Sequence, residues 1–195
     1  ASFLNCNVYG SASFDGYATV DSIGSLFGYV YNDVTVNNCN VEYDIKIENT
    51  KHVDDIGGIG GYVEYVCTMD EVAWKGNITI DDKSESIYDI GGIIGSIYSD
   101  SFIENVTAEG LISMPSTESV SYNDVGGLFG YIEDYNVFNN CASLVDINAP
   151  SANYVGGIVG MLDEENRFYN SYSCGEINAY ANVGGFAGDS SCCGY

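Results

Sequence analysis

The chain has 195 residues, 46% of them hydrophobic, with 24 Gly, 17 Tyr and only 2 Pro; 28 acidic residues face five basic ones for a formal charge of −23. That charge repels phosphate backbones and anionic lipid, so nucleic acid and acidic membrane surfaces are poor partners and neither is expected. No apolar run approaches the ~18 residues that cross a bilayer, and so much Ile, Val and Tyr beside the Gly excludes low-complexity disorder. The first residues show neither a basic n-region nor an apolar h-region, so no signal peptide is read there, and an exported protein would be represented by a mature chain or a fragment.

The first recognisable element is Asn5-Cys6, followed by a hexapeptide, Ile23-Gly-Ser-Leu-Phe-Gly28. The hexapeptide returns at 56–61, 90–95, 125–130, 155–160 and 183–188, with starts 33, 34, 35, 30 and 28 residues apart. Self-similarity at this period marks a repeat architecture. Eleven residues past the last Gly of the first five hexapeptides lie Cys39, Val72, Val106, Cys141 and Ser171, preceded by Asn38, Glu71, Asn105, Asn140 and Asn170. Asn5-Cys6 is a sixth instance of the same slot. Three residues before it stand Phe3, Val36, Met69, Ile103, Phe138 and Phe168; six residues after it stand Ala12, Ile45, Ile78, Ile112, Ile147 and Ile177. Such phase constancy predicts an inward stripe.

The distance from hexapeptide to slot is constant, whereas slot to next hexapeptide runs 17, 17, 18, 19, 14 and 12 residues. Length variation confined to one half of each unit is the behaviour of a stacked coil. Within each unit the period is two, as in Cys39-Asn-Val-Glu-Tyr-Asp-Ile-Lys-Ile47, which predicts half-buried strands. The expected fold is therefore all-β, a parallel β-solenoid of about six 28–35-residue repeats forming one array over 1–195, uncapped at both ends. The hexapeptide glycines are expected to turn corners through positive φ and to let backbones pack closely. The Asn residues are expected to mark turns and to stack, amide on amide, along the axis.

These motifs resemble the GLUG motif repeat, with Val125-Gly-Gly-Leu-Phe-Gly130 and Asn170-Ser-Tyr-Ser-Cys-Gly175 nearest its pattern and Asn140-Cys141 preserving its Asn-Cys pair. The likeness covers nearly the whole chain; Ser25 and Glu71-Val72 depart from it. The resemblance implies a stalk or adhesive segment of a large surface or secreted protein, and brings no catalytic residues. The expectation is an extracellular or cell-surface structural segment, not an enzyme, stacking head to tail on itself or on neighbouring repeats. The alternative is a carbohydrate- or Ca2+-binding surface module.

Candidate sites are few. Tyr29, Tyr62 and Tyr131 share one phase just after the hexapeptide, with Ser96 and Met161 in the same column, and an aligned aromatic row could bind a surface glycan. No cofactor is expected, although Asp54-Asp55, Glu133-Asp134 and Asp163-Glu-Glu165 offer hard oxygen ligands to Ca2+ without EF-hand spacing. Asp54-Asp55 and Asp81-Asp82 are read as solvated. Five scattered cations and a single His, His52, leave a lyase without its usual apparatus. Cys6, Cys39 and Cys141 share the inward slot and read as small buried thiols. Cys192-Cys193 fall outside the register and could close a terminus or cross-link chains. Asn77 and Asn105 fit the N-glycosylation sequon.

Overall fold

A computed structural model of the chain describes residues 1–16, 19–81, 84–115 and 123–190. Its regular structure is all strand, and every strand pair is parallel and joins successive repeats. Three sheets result, each with six rungs among the described residues. The first holds the long strands, such as Val34–Glu48, Cys67–Ile80 and Phe102–Ser113. The second holds His52–Gly57, Ile90–Gly91, Asp124–Gly126 and their equivalents. The third holds Phe27–Val30, Gly60–Val63, Ile94–Ile97, Phe129–Ile132, Val159–Leu162 and Ala187–Ser190. The molecule is a parallel β-solenoid.

Like residues lie on like. Ala12, Ile45, Ile78, Ile112, Ile147 and Ile177 are consecutive register partners in the first sheet. So are Phe3, Val36, Met69, Ile103, Phe138 and Phe168. At rungs about 4.8 Å apart such columns bury apolar side chains against their own kind; Phe138 and Phe168 stack with centroids 4.4 Å apart. The core runs through the middle rungs, where Ile78, Ile103, Ile112 and Phe138 are wholly buried.

The Asn before each slot has a definite conformational duty. Asn5, Asn38, Glu71, Asn105, Asn140 and Asn170 all have φ between 50° and 55°. One left-handed residue inside a strand breaks the alternation, which is why Val36 and Cys39, three apart, both point inward. Asn tolerates this region better than other residues with a Cβ. The amides do link rungs: Asn38 Nδ2 donates to Asn5 Oδ1 at 2.8 Å and Asn140 Nδ2 to Asn105 Oδ1 at 2.6 Å. The series is interrupted at Glu71, where Asn105 donates instead to Asp70 at 2.8 Å. Asn38→Ala should lose about 1–2 kcal/mol of unfolding free energy from left-handed strain, measured by urea denaturation, whereas Asn38→Gly should lose less. Equal losses for the two would show that the amide contact, not φ, sets the preference.

The hexapeptide glycines correct the expectation from sequence. None of them has positive φ; that conformation falls on the residue just before the hexapeptide in four rungs, Ser22, Asp55, Asp89 and Asn182. The glycines are required by space. A Cβ on Gly57 would stand 2.7 Å from Ile93 O of the next rung, and one on Gly91 would stand 2.6 Å from Leu128 O. The corner between the second and third sheets thus brings backbone of adjacent rungs into direct contact.

Candidate functional site

That corner positions the most unusual side chains in the molecule. Ile56, Ile90 and Val125 are register partners on successive rungs, so the residues preceding them, Asp55, Asp89 and Asp124, stand above one another. Parallel in-register pairing offers no way to stagger them. Asp54 adds a fourth carboxyl from the same strand as Asp55, accepting the Asp55 backbone N–H at 3.0 Å. Carboxylate oxygens of Asp54, Asp55 and Asp89 all lie within 4.8 Å of one another.

Across the corner, the third sheet supplies Ser96, only 1% exposed. Its hydroxyl is hydrogen-bonded to Asp55 Oδ1 and lies 3.1 Å from Asp89 Oδ2. Ser96 stands in the tyrosine column, with Tyr62 below it and Tyr131 above. Its small side chain leaves the carboxyls room, and Tyr98 closes the gap in the aromatic row. Asp54, Tyr88, Asp89, Tyr98, Asp124 and Tyr131 line a shallow depression of about 400 Å³ there.

Electrostatics follow from placement. Burial pushes the Asp55 carboxyl up to about 7, with Asp54 and Asp21 adding to the rise and the Ser96 hydrogen bond opposing it. Asp89 is held well above the usual aspartate range, first by burial and then by Asp124, Asp55 and Asp54. Asp124 and Asp54 are raised mainly by burial too. Lys46, Lys51 and Lys75 are ion-paired elsewhere, with Glu48, Glu85 and Glu109. The reading of Asp54-Asp55 as solvated is therefore corrected: both are half-buried, because the corner folds them beneath the third sheet.

The tyrosine row is where its phase placed it. Tyr29, Tyr62, Ser96, Tyr131 and Met161 are consecutive partners in the third sheet. Tyr29 and Tyr62 stack at 5.1 Å and 13°, and Tyr62 meets Tyr98 at 5.1 Å on the next rung. Tyr62 therefore has a ring neighbour on each side, and a sugar ring, which needs a free aromatic face, finds mainly edges here. Tyr131 donates its hydroxyl to Asp163 at 2.6 Å. Sequence reasoning missed Tyr98, which lies off the column, and missed the Asp column. The signal for the latter was present: Asp precedes the hexapeptide in three consecutive repeats.

The remaining candidates do not converge. Asn77 is exposed and bonded to Asp44, while Asn105 is committed to the amide series through Asp70 and Asn140. Cys39 and Cys141 are buried free thiols, and Cys6 is half-buried; Cys192 and Cys193 lie outside the described residues. Glu133-Asp134 and Asp163 follow strands of the third sheet and are not among the three carboxyls that converge within 4.8 Å, although Asp163 reaches the same depression through its bond from Tyr131. No helix among the described residues is long and apolar enough to cross a membrane.

No protein family, curated protein or solved structure matches the chain.

Proposed function

We propose that the chain is a structural segment of an extracellular or cell-surface protein, a GLUG-type solenoid that extends by adding rungs rather than by catalysing a reaction. The observation that carries this reading is a column of glycines at the third hexapeptide position. A Cβ on Gly58 would strike Gly92 O of the following rung; one on Gly92 would strike Gly127 O, one on Gly127 Gly157 O, and one on Gly157 Gly185 O. At Gly185 the same added atom meets nothing within 4 Å among the described residues. In four rungs the rung above leaves no room for a side chain at this place; the first rung carries Ser25 there, whose hydroxyl donates to Gly58 O at 2.6 Å, and Gly185 keeps glycine with no such neighbour among the described residues.

Both outer rungs support the same reading. Phe3, Val8 and Phe14 at one end, and Phe168, Ile177 and Phe186 at the other, are only partly covered. Phe3 shares its column with Phe168, and Ala12 with Ile177, so a first rung set on a last rung continues those columns. Backbone groups left open on a sheet edge template another strand, and a head-to-tail contact of this kind propagates without closing. The proposed occupant is a rung of the same pattern, from further repeats or from a second copy.

Gly185→Ala separates the alternatives. Its unfolding midpoint should match the parent chain within about 0.5 kcal/mol, because a surface change away from contacts has little effect. Its self-association, followed by light scattering and negative-stain microscopy, should be lost. A parent chain that remains a compact monomer at high concentration, or rods that survive Gly185→Ala, would contradict head-to-tail stacking.

A further inference from the structure

Among the described residues, no lysine or arginine is ion-paired with the carboxyl column at the corner. A serine hydroxyl has one hydrogen to donate and otherwise accepts. Ser96 Oγ lies within hydrogen-bonding range of two carboxyl oxygens, Asp55 Oδ1 and Asp89 Oδ2. Its hydrogen serves one of them. The other contact sets lone pair against lone pair unless that carboxyl is itself protonated and donates to Ser96. Asp89 and Asp124 precede register partners on adjacent rungs and line one depression, close enough for the charge of Asp124 to raise the proton affinity of Asp89. Asp124 Oδ1 is buried without a partner, a position far more costly for an ionised oxygen than for a neutral one.

We propose that Asp55, Ser96, Asp89 and Asp124 form a proton-sharing ladder that ties the middle rungs together and makes the solenoid more stable in mildly acidic surroundings than in neutral ones. The charged groups bearing on the ladder are Asp21 and Asp54 from the second sheet, and Asp163 and Asp189 from the third, with Glu133 acting on the neighbouring Tyr98. The other titratable neighbours are the Tyr62, Tyr98 and Tyr131 phenols, and His52, whose Nδ1 is 2.6 Å from Ser86 Oγ on the second sheet. The acids raise proton affinity further, and the phenols stay neutral through the range concerned.

Each ladder carboxyl holds its proton more tightly in the folded chain than in the unfolded one. The folded chain therefore binds more protons, and stability is greatest below the ordinary aspartate range and falls as pH rises through about 7, where Asp55 ionises. Asp89→Asn supplies a neutral isostere that can still donate. Urea denaturation of the full chain across this range should show the parent weakening with rising pH, and Asp89→Asn with that slope cut to about half or less and a higher midpoint at neutral pH. Asp33→Asn, an exposed site with the same charge change, should leave the slope intact.

Infrared spectroscopy gives a second readout that does not depend on a variant folding. The parent at neutral pH should retain a protonated-carboxyl band that disappears in alkali. Absence of that band, or an unchanged slope in Asp89→Asn, would overturn the ladder. So would a loss of stability in Asp89→Asn at neutral pH together with Ca2+ stabilising the parent alone, which would mark a cation site instead.

Discussion

Trp74→Ala should cost about 3–5 kcal/mol, a large share of the roughly 5–15 kcal/mol that holds a typical domain together. Trp74 is the chain's only tryptophan and is 1% exposed. It stands in a column whose register partners are small, Val41 below and Ala108 above. Its ring therefore fills space that its neighbours leave, and presses on the hexapeptide corner: a Cβ on Gly58 would lie 2.5 Å from Trp74 Cδ2. The indole N–H donates to Tyr43 O at 3.2 Å, joining the interior to the rung below. Equilibrium unfolding followed by far-ultraviolet circular dichroism measures the loss. Trp74→Phe should retain much of the stability, losing the hydrogen bond and part of the volume. A cost below about 1 kcal/mol for the alanine variant would mean that the ring is not the plug the packing describes.

Gly91→Ala is the second large effect and has a different origin. Overpacking a filled interior costs about 1–3 kcal/mol and occasionally more, and here the obstacles are main-chain atoms. The new methyl would lie 2.6 Å from Leu128 O and 2.9 Å from Gly130 N, both on the next rung. The methyl would also strike Ile94 O of its own rung, so relief requires the corner to open and the rungs to part, which breaks ladder hydrogen bonds such as Ile93 N–H to Leu128 O at 2.8 Å. A loss at or above the upper end of that range is expected. Gly184→Ala is the internal comparison, the same second hexapeptide position on the last rung, where the added methyl strikes Ala187 O of its own rung and, among the described residues, no atom of a rung above. If the two variants unfold at the same denaturant concentration, contact between rungs is not what demands glycine.

These two residues also show where sequence reasoning is strong and where it stops. The hexapeptide recurs in register, so Gly91 was identifiable as constrained, but the cause was misassigned. Glycine in sequence is equally consistent with an unusual φ and with a lack of room, and only coordinates separate them. Positive φ fell instead on Asp55, Asp89 and Asn182, whose side chains can fold back on local backbone as Asp54 does toward Asp55 N. The tyrosine column was predicted correctly as to phase. How its rings use their faces was not, because ring orientation depends on what stands on the adjacent rung.

The carboxyl column illustrates the same boundary at the level of chemistry. Asp before the hexapeptide in three successive repeats is visible in the string of residues, yet an acidic residue beside a loop of variable length reads as solvated. Its burial depends on Ser96, some forty residues from Asp55 along the chain, standing where a tyrosine stands in the rungs on either side. No local pattern announces that juxtaposition.

Periodicity by itself determined that the chain is all-β, that its units stack in parallel and which residues form each apolar column. This is because a repeat at constant phase can bury its apolar stripe only against copies of itself. The tertiary structure alone decided that glycines are demanded by backbone contact, that an outer glycine stands clear among the described residues, and that one serine joins the carboxyls of two rungs. Those outcomes depend on distances between rungs and across a corner, and distance through space is not encoded at any single position.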